Sequence, residues 1–226
     1  MRRFCIHLKG IETERKVSEL KKAMTILYKV HNNLYVNLTN RCSSACVFCL
    51  RHNGDSVVEG GDSLWLTREP SVEEVKSEFE KFDMKEFNEV VFCGYGEPTE
   101  RIDALLEIAA FVKEKYNKQI RVNTNGQGNL INERDIVPEL KGLVDIISIS
   151  LNTPHKDRYH ELVRSRFGEK AFDAMLDFAR EATKYVPSVI LSTVATTITE
   201  EEEAECRRIC DELGVTYRIR PFEEGK

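Results

Sequence analysis

Short apolar runs and longer amphipathic stretches take turns along the chain. Runs of strand length, rich in Val and Ile, occupy 34–39, 89–93, 120–124, 144–151, 188–194 and 215–220. Between them the period changes to that of a helix. Ile102, Leu105, Leu106, Ala109 and Val112 form an apolar stripe behind Pro98-Thr99, and 171–185 repeats the pattern. Ser71 with Glu74, and Thr199 with Glu202, read as capping boxes, in which first and fourth side chains satisfy orphan backbone donors at a helix start. Pro154 opens a further helix, and Pro138 shortens or kinks the element after Asn132. Strands alternating with helical crossovers predict a mainly parallel sheet. In front of it, 12–24 reads as a charged helix and 25–30 as a strand, which His31-Asn32-Asn33 turns back as an antiparallel edge.

Composition narrows the class. At 226 residues, 41% hydrophobic and 31% charged, the chain can bury a core and is expected to form one domain over 1–226, with 1–30 as an N-terminal extension and 31–226 as the core. A formal net charge of -5 disfavours non-specific attraction to nucleic acid or anionic membrane. No run approaches the length of a membrane span and the start lacks a signal-peptide pattern, so a cytoplasmic location is expected. Seven cysteines, three of them clustered, point to a metal site in a reducing compartment more than to a disulfide framework.

Cys42, Cys46 and Cys49 stand at the spacing C-x3-C-x2-C directly after the 34–38 run. Three thiolates hold three corners of a [4Fe-4S] cube, which ordinarily takes four. One iron is left without a protein ligand, an open position of the kind a catalytic metal keeps for its reactant. The residues also admit a second reading: His52 follows Cys49 at C-x2-H and completes a tetrahedral zinc site. A second motif, Cys93-Gly94-Tyr95-Gly96-Glu97-Pro98, ends the next strand. Ligands in α/β folds collect beyond the carboxyl ends of strands, so both motifs are expected at one mouth.

These residues resemble the radical S-adenosylmethionine (SAM) superfamily, whose C-x3-C-x-aromatic-C signature is met by Cys42, Cys46, Phe48 and Cys49. Gly94 to Pro98 is similar to its Gly-Gly-Glu element, with Tyr95 where a second glycine often stands. The resemblance implies a partial (β/α)6 barrel, a [4Fe-4S] cluster on the three cysteines, and SAM chelated at the open iron. It further implies Phe48 near the adenine, with Gly94, Tyr95, Gly96 and Glu97 around the methionine end. Thr124 and Asn125 would meet the ribose, Ser150 and Asn152 would line the next strand end, and Val194 would lie near the adenine. The implied activity is reductive cleavage of SAM to a 5'-deoxyadenosyl radical that abstracts hydrogen from an unassigned substrate, with electrons from a donor such as flavodoxin or ferredoxin. More narrowly, the 34–51 block resembles small TatD-linked radical SAM proteins, which implies a TatD-type hydrolase as partner. The short activating enzymes, which install a radical on a protein, and the 7-carboxy-7-deazaguanine synthases are also similar.

Four further features carry expectations. Cys206 and Cys210, four apart on the last helix, read as buried small hydrophobes, the alternative being a second metal site with Cys5 or Cys93. Arg218 and Arg220 point the same way along the final strand, toward surface acids, an anionic substrate or the SAM carboxylate. The irregular 52–70 segment is expected to lie over the cluster as a lid, with Trp65 covering the site or anchoring the loop.

Overall fold

The computed structural model describes residues 24–49, 51 and 63–221. The helix expected over 12–24, His52, Cys5 and most of the expected lid lie outside the described residues. Seven strands form one sheet in chain order: β1 (Leu27–Val30), β2 (Asn33–Val36), β3 (Glu89–Phe92), β4 (Gln119–Thr124), β5 (Ile146–Ser150), β6 (Ser188–Val194) and β7 (Thr216–Arg220). β1 pairs antiparallel with β2, Leu27 opposite Val36, and every later neighbour is parallel. The expected edge strand and partial barrel are therefore present. The sheet stays open, with β1 and β7 at its two edges. β6 has the bounds read from sequence, whereas β2 ends at Val36, three residues early, where the side chains of Asn37 and Asn40 bond the 63–66 segment.

One face of this sheet is the core. Leu34, Val36, Val90, Phe92, Ile120, Val122, Ile147, Ile149, Val189 and Leu191 alternate onto it and meet the helices. Those helices are α1 (Val72–Glu78), α2 (Ile102–Tyr116), α3 (Gly128–Asn132), α4 (Lys156–Val163), α5 (Lys170–Ala182) and α6 (Glu200–Leu213). α2 buries Ile102, Leu105, Ile108, Ala109 and Val112 at helical spacing, and α5 buries Phe172, Met175, Phe178 and Ala179. Both capping boxes form, at Ser71 and Thr199, each bond set stabilising its helix start by about 1 kcal/mol. Pro98 opens a single 3-10 turn before α2, and Pro138 sits in another where a longer helix would need its missing N–H. α6 stops at Gly214, whose φ of 69° is left-handed.

Candidate active site at the carboxyl ends of the strands

The three cysteines lie in a loop that leaves β2 and is tied down on every side. Arg51 donates to the carbonyls of Asn40 at 3.3 Å and Ser44 at 2.9 Å, closing the loop on itself. Toward α1, Glu69 accepts from the Thr39 hydroxyl at 2.6 Å and from Arg41 Nε at 2.7 Å. Along its other side the loop runs beside the last turn of α4 and the segment that follows it. Val47 N donates to Leu162 O at 2.9 Å, and Arg166 N donates to Ser43 O at 2.8 Å.

Beneath the loop lies a buried polar hub centred on Gln127. Its Oε1 accepts from Ser43 at 2.9 Å and Ser165 at 2.7 Å, while its Nε2 donates to Ser44 at 3.4 Å and Tyr159 at 3.3 Å. The four bonds come from three places: the cysteine loop (Ser43 and Ser44), α4 (Tyr159) and the segment after it (Ser165). The hub thus locks the cysteine loop to the β4–α3 turn and to α4. Gly126, φ 75°, makes that turn, and a β-carbon there would meet Ile149 and Met175 at 2.8 Å. None of Gln127, Ser43, Ser44, Tyr159 or Ser165 was singled out by sequence; the only hint is Ser43-Ser44 inside the cysteine motif.

Burial pushes the Cys42 thiol up to about 11, with the Glu97 carboxylate adding to the rise, and pushes Cys46 up to about 12, with Cys42 and Cys49 adding. The thiols are therefore close enough to feel one another, and Arg51 is close enough to pull both values back down. Asn125 Nδ2 reaches Ser43 Oγ at 2.9 Å and Cys42 Sγ at 4.0 Å. Phe48 sits half-buried between Cys46 and Cys49.

The glycine-rich turn after β3 packs directly on this loop. Glu97 N donates to Arg41 O at 2.8 Å, and a β-carbon at Gly96 would lie 2.2 Å from Thr39 O and 2.6 Å from Arg41 O. Only a glycine fits between the two backbones. Gly94 is similarly closed by Asn37 Oδ1 at 2.2 Å. Tyr95 is 7% exposed and packs edge-on against Trp65, ring centres 5.2 Å apart, so Trp65 anchors the start of the described 63–70 segment.

Glu97 is 4% exposed. Its Oε1 accepts from Thr99 N at 3.1 Å, Thr99 Oγ1 at 2.8 Å and Thr124 Oγ1 at 2.7 Å, and its Oε2 accepts from Asn125 N at 2.8 Å. Burial raises its pKa, against the pull of those donors. Glu97, Thr124, Asn125 and Cys42 are thus brought together. Ser150, Asn152 and Val194 continue along the same edge at the ends of β5 and β6. Asn152, φ 64°, has a buried Oδ1 with no hydrogen-bond partner.

Cys206 and Cys210 are fully buried, as expected, and Tyr217 on the helix-covered face of β7 bonds Cys206. Cys93 follows Val91 onto the opposite face, so the second metal site with Cys93 is not formed. Among the described residues no three His, Cys, Asp or Glu side chains form a site for a single metal ion. None of the described helices is long and apolar enough to cross a membrane.

Residues 36–210 match the Radical SAM superfamily. Molybdenum cofactor biosynthesis protein 1 of Drosophila melanogaster is 28% identical over 171 residues, covering 75% of this chain and 28% of that protein. A putative glycyl-radical enzyme activating enzyme of Methanocaldococcus jannaschii is 28% identical over 192 residues, covering 80% and 70%. SuiB of Streptococcus suis, solved bound to S-adenosylmethionine, superimposes with a TM-score of 0.63 at 19% sequence identity over 86% of this chain and 43% of that one. The chain therefore spans less than a third of the Drosophila relative.

Proposed function

Because the chain belongs to the radical SAM superfamily, enzymes whose cofactors are a [4Fe-4S] cluster and SAM, we propose that Cys42, Cys46 and Cys49 ligate that cluster and that Glu97 binds the SAM ammonium. The observation that carries this reading is the seating of a three-cysteine loop on the Gly96–Glu97 backbone at one mouth of the sheet. The residues present fit the cofactors. The donor set is three thiols on one loop, Cys42 and Cys46 desolvated together, with Arg51 close by to favour the anions of those two. Glu97 Oε2 accepts one bond and keeps acceptor capacity toward an ammonium. The orphaned Asn152 Oδ1 is a buried acceptor that costs about 1–3 kcal/mol until a donor such as a ligand hydroxyl meets it.

When bound, the cluster and SAM together supply a 5'-deoxyadenosyl radical for hydrogen abstraction. The chain supplies position. Gln127 and Arg51 hold the thiols in one loop, and Thr99, Thr124 and the Asn125 amide fix the Glu97 carboxylate so that its free lone pair has a set direction. Phe48, Gly94, Tyr95, Gly96, Ser150, Asn152 and Val194 complete the proposed cofactor surface. Anaerobic reconstitution with iron and sulfide, then dithionite and SAM, is expected to release 5'-deoxyadenosine from the wild type and none from Cys46→Ala. A fully loaded wild-type cluster that leaves SAM intact would sink the proposal.

A second reading, radical installation on a partner protein, draws support from the likeness to the activating enzyme, of which this chain covers 70%. Hydrogen loss from a co-purified protein, read as a glycyl-radical signal, would establish it. Flavodoxin or ferredoxin is the proposed electron donor. A TatD-type hydrolase remains a proposed partner on the 34–51 block, to be tested by affinity capture.

A further inference from the structure

The Asn125 side chain, which the resemblance places toward a ribose, is committed to the cysteine loop. Its amide is oriented by a partner that leaves no choice: the Gln127 backbone N–H donates to Oδ1 at 2.9 Å. A backbone N–H only donates, so the atom facing it is the oxygen, and the NH2 group faces the other way. There it donates to Ser43 Oγ at 2.9 Å and lies 3.5 Å from Ser44 Oγ and 4.0 Å from Cys42 Sγ. Ser43 is fixed in turn. Its hydroxyl gives its one hydrogen to Gln127 Oε1 at 2.9 Å, which leaves the oxygen to accept from Asn125. The Asn125 backbone N–H, meanwhile, donates to Glu97 Oε2 at 2.8 Å. One residue thus joins the carboxylate proposed for the SAM ammonium to the first cysteine of the loop.

The thiols of the loop are not served alike. The Ser44 backbone N–H also bonds the Cys42 sulfur, whereas Cys46 has its own backbone N–H. Among the described residues no side-chain amide is bonded to Cys46 or Cys49, so Cys42 alone has a side-chain amide set against it. At 4.0 Å that contact is a dipole on a sulfur, and with Ser43 and Ser44 only 3% and 4% exposed it acts where water screens little. One electron added from a donor leaves the sulfurs of an iron-sulfur cube more negative. An N–H aimed at a ligand sulfur therefore stabilises the reduced form more than the oxidised one.

We propose that Asn125 is a positioning residue for the reduction step, acting through Cys42: its side-chain amide raises the reduction potential of the cluster that the three cysteines hold. The inference rests on the radical SAM reading for the presence of the cluster, and on the distances around Asn125 for the sulfur it favours and the sign of the effect.

The test is a redox titration of the reconstituted chain, anaerobic and without SAM, followed by electron paramagnetic resonance of the reduced cluster. Asn125→Ser and Asn125→Thr each keep an uncharged oxygen for the Gln127 N–H and withdraw the amide from Cys42. Both are expected to shift the potential to a more negative value. Asn129→Ser, which removes an amide bonded to Asp135, is expected to leave it unchanged. The sign separates tuning from simple loosening of the loop, because water let in beside the cluster stabilises the added charge and shifts the potential the other way. Iron and sulfide content and circular dichroism melts verify that each sample is loaded and folded. An unchanged or more positive potential in the Asn125 variants overturns the inference and leaves the cluster standing. Loss of the cluster in both variants also overturns it, by assigning Asn125 to the folding of the loop. Equilibrium dialysis with labelled SAM on the same samples supplies a further arm: weakened SAM binding at an unchanged potential overturns it by returning the side chain to the ribose. A wild type that assembles no four-iron cluster removes the radical SAM reading and the inference together.

Discussion

Glu97 sits where burial and hydrogen bonding oppose each other. Desolvation favours its neutral form, while donors from Thr99, Thr124 and Asn125 favour the carboxylate. A cationic group arriving at Oε2 would tip that balance toward the charged state. Replacing Glu97 by Gln is therefore expected to leave iron content unchanged and to weaken SAM binding about tenfold or more, the worth of one charge-assisted bond of roughly 1.5–3 kcal/mol. Equilibrium dialysis with labelled SAM reads this directly, and undiminished affinity would take Glu97 off the cofactor. Single residues of this kind were legible in the sequence because their chemistry is rare: clustered thiols, a glycine pair and an acid between strand and helix. Gln127 was not. Its role comes from four partners that are 32 to 84 positions away, and nothing in the residue type announces that.

At the scale of elements, the Gln127 hub joins the cysteine loop, the β4–α3 turn and α4 into one unit. Gln127→Ala leaves the hydroxyls of Ser43, Ser44, Tyr159 and Ser165 short of a partner in a buried setting, each at about 1–3 kcal/mol where no other partner is found. The variant is expected to melt lower by several degrees and to hold less iron per chain after reconstitution than the wild type. Full iron loading at unchanged melting temperature would show that the hub is dispensable. The thiols of α6 are buried in the core, apart from the cysteine loop. Burial pushes Cys206 and Cys210 up to about 12 from the ordinary 9, so the folded state holds their protons more tightly than the unfolded one. Their contribution to stability is complete below about pH 9 and is lost as pH rises toward 12. Melting temperature is accordingly expected to fall through that window. Iodoacetamide at pH 8 should leave both unmodified in the folded chain, since thiolate is about a thousandfold scarcer than at an ordinary cysteine; prompt alkylation would refute their burial. Helix starts were readable because Ser71 and Thr199 act locally, within one turn. The early end of β2 was not, since it depends on Asn37 and Asn40 meeting a segment more than twenty residues away.

The whole molecule is an open sheet with two unlike faces, one apolar and covered by helices, the other polar and ending in the cysteine loop. Strand periodicity foretold the alternation, and the His31-Asn32-Asn33 turn the antiparallel edge. What periodicity does not encode is how the strand-end turns meet, as where Glu97, after β3, accepts from Thr124 and Asn125 at the end of β4. The central claim is that the cysteine loop leaves one iron open to SAM. Electron-nuclear double resonance of the reduced, cluster-loaded chain with SAM labelled with nitrogen-15 at its amino group tests it most directly. A strong coupling between that nitrogen and the cluster is the predicted result; no coupling at saturating SAM, or a single zinc ion bound in place of iron, would contradict the account.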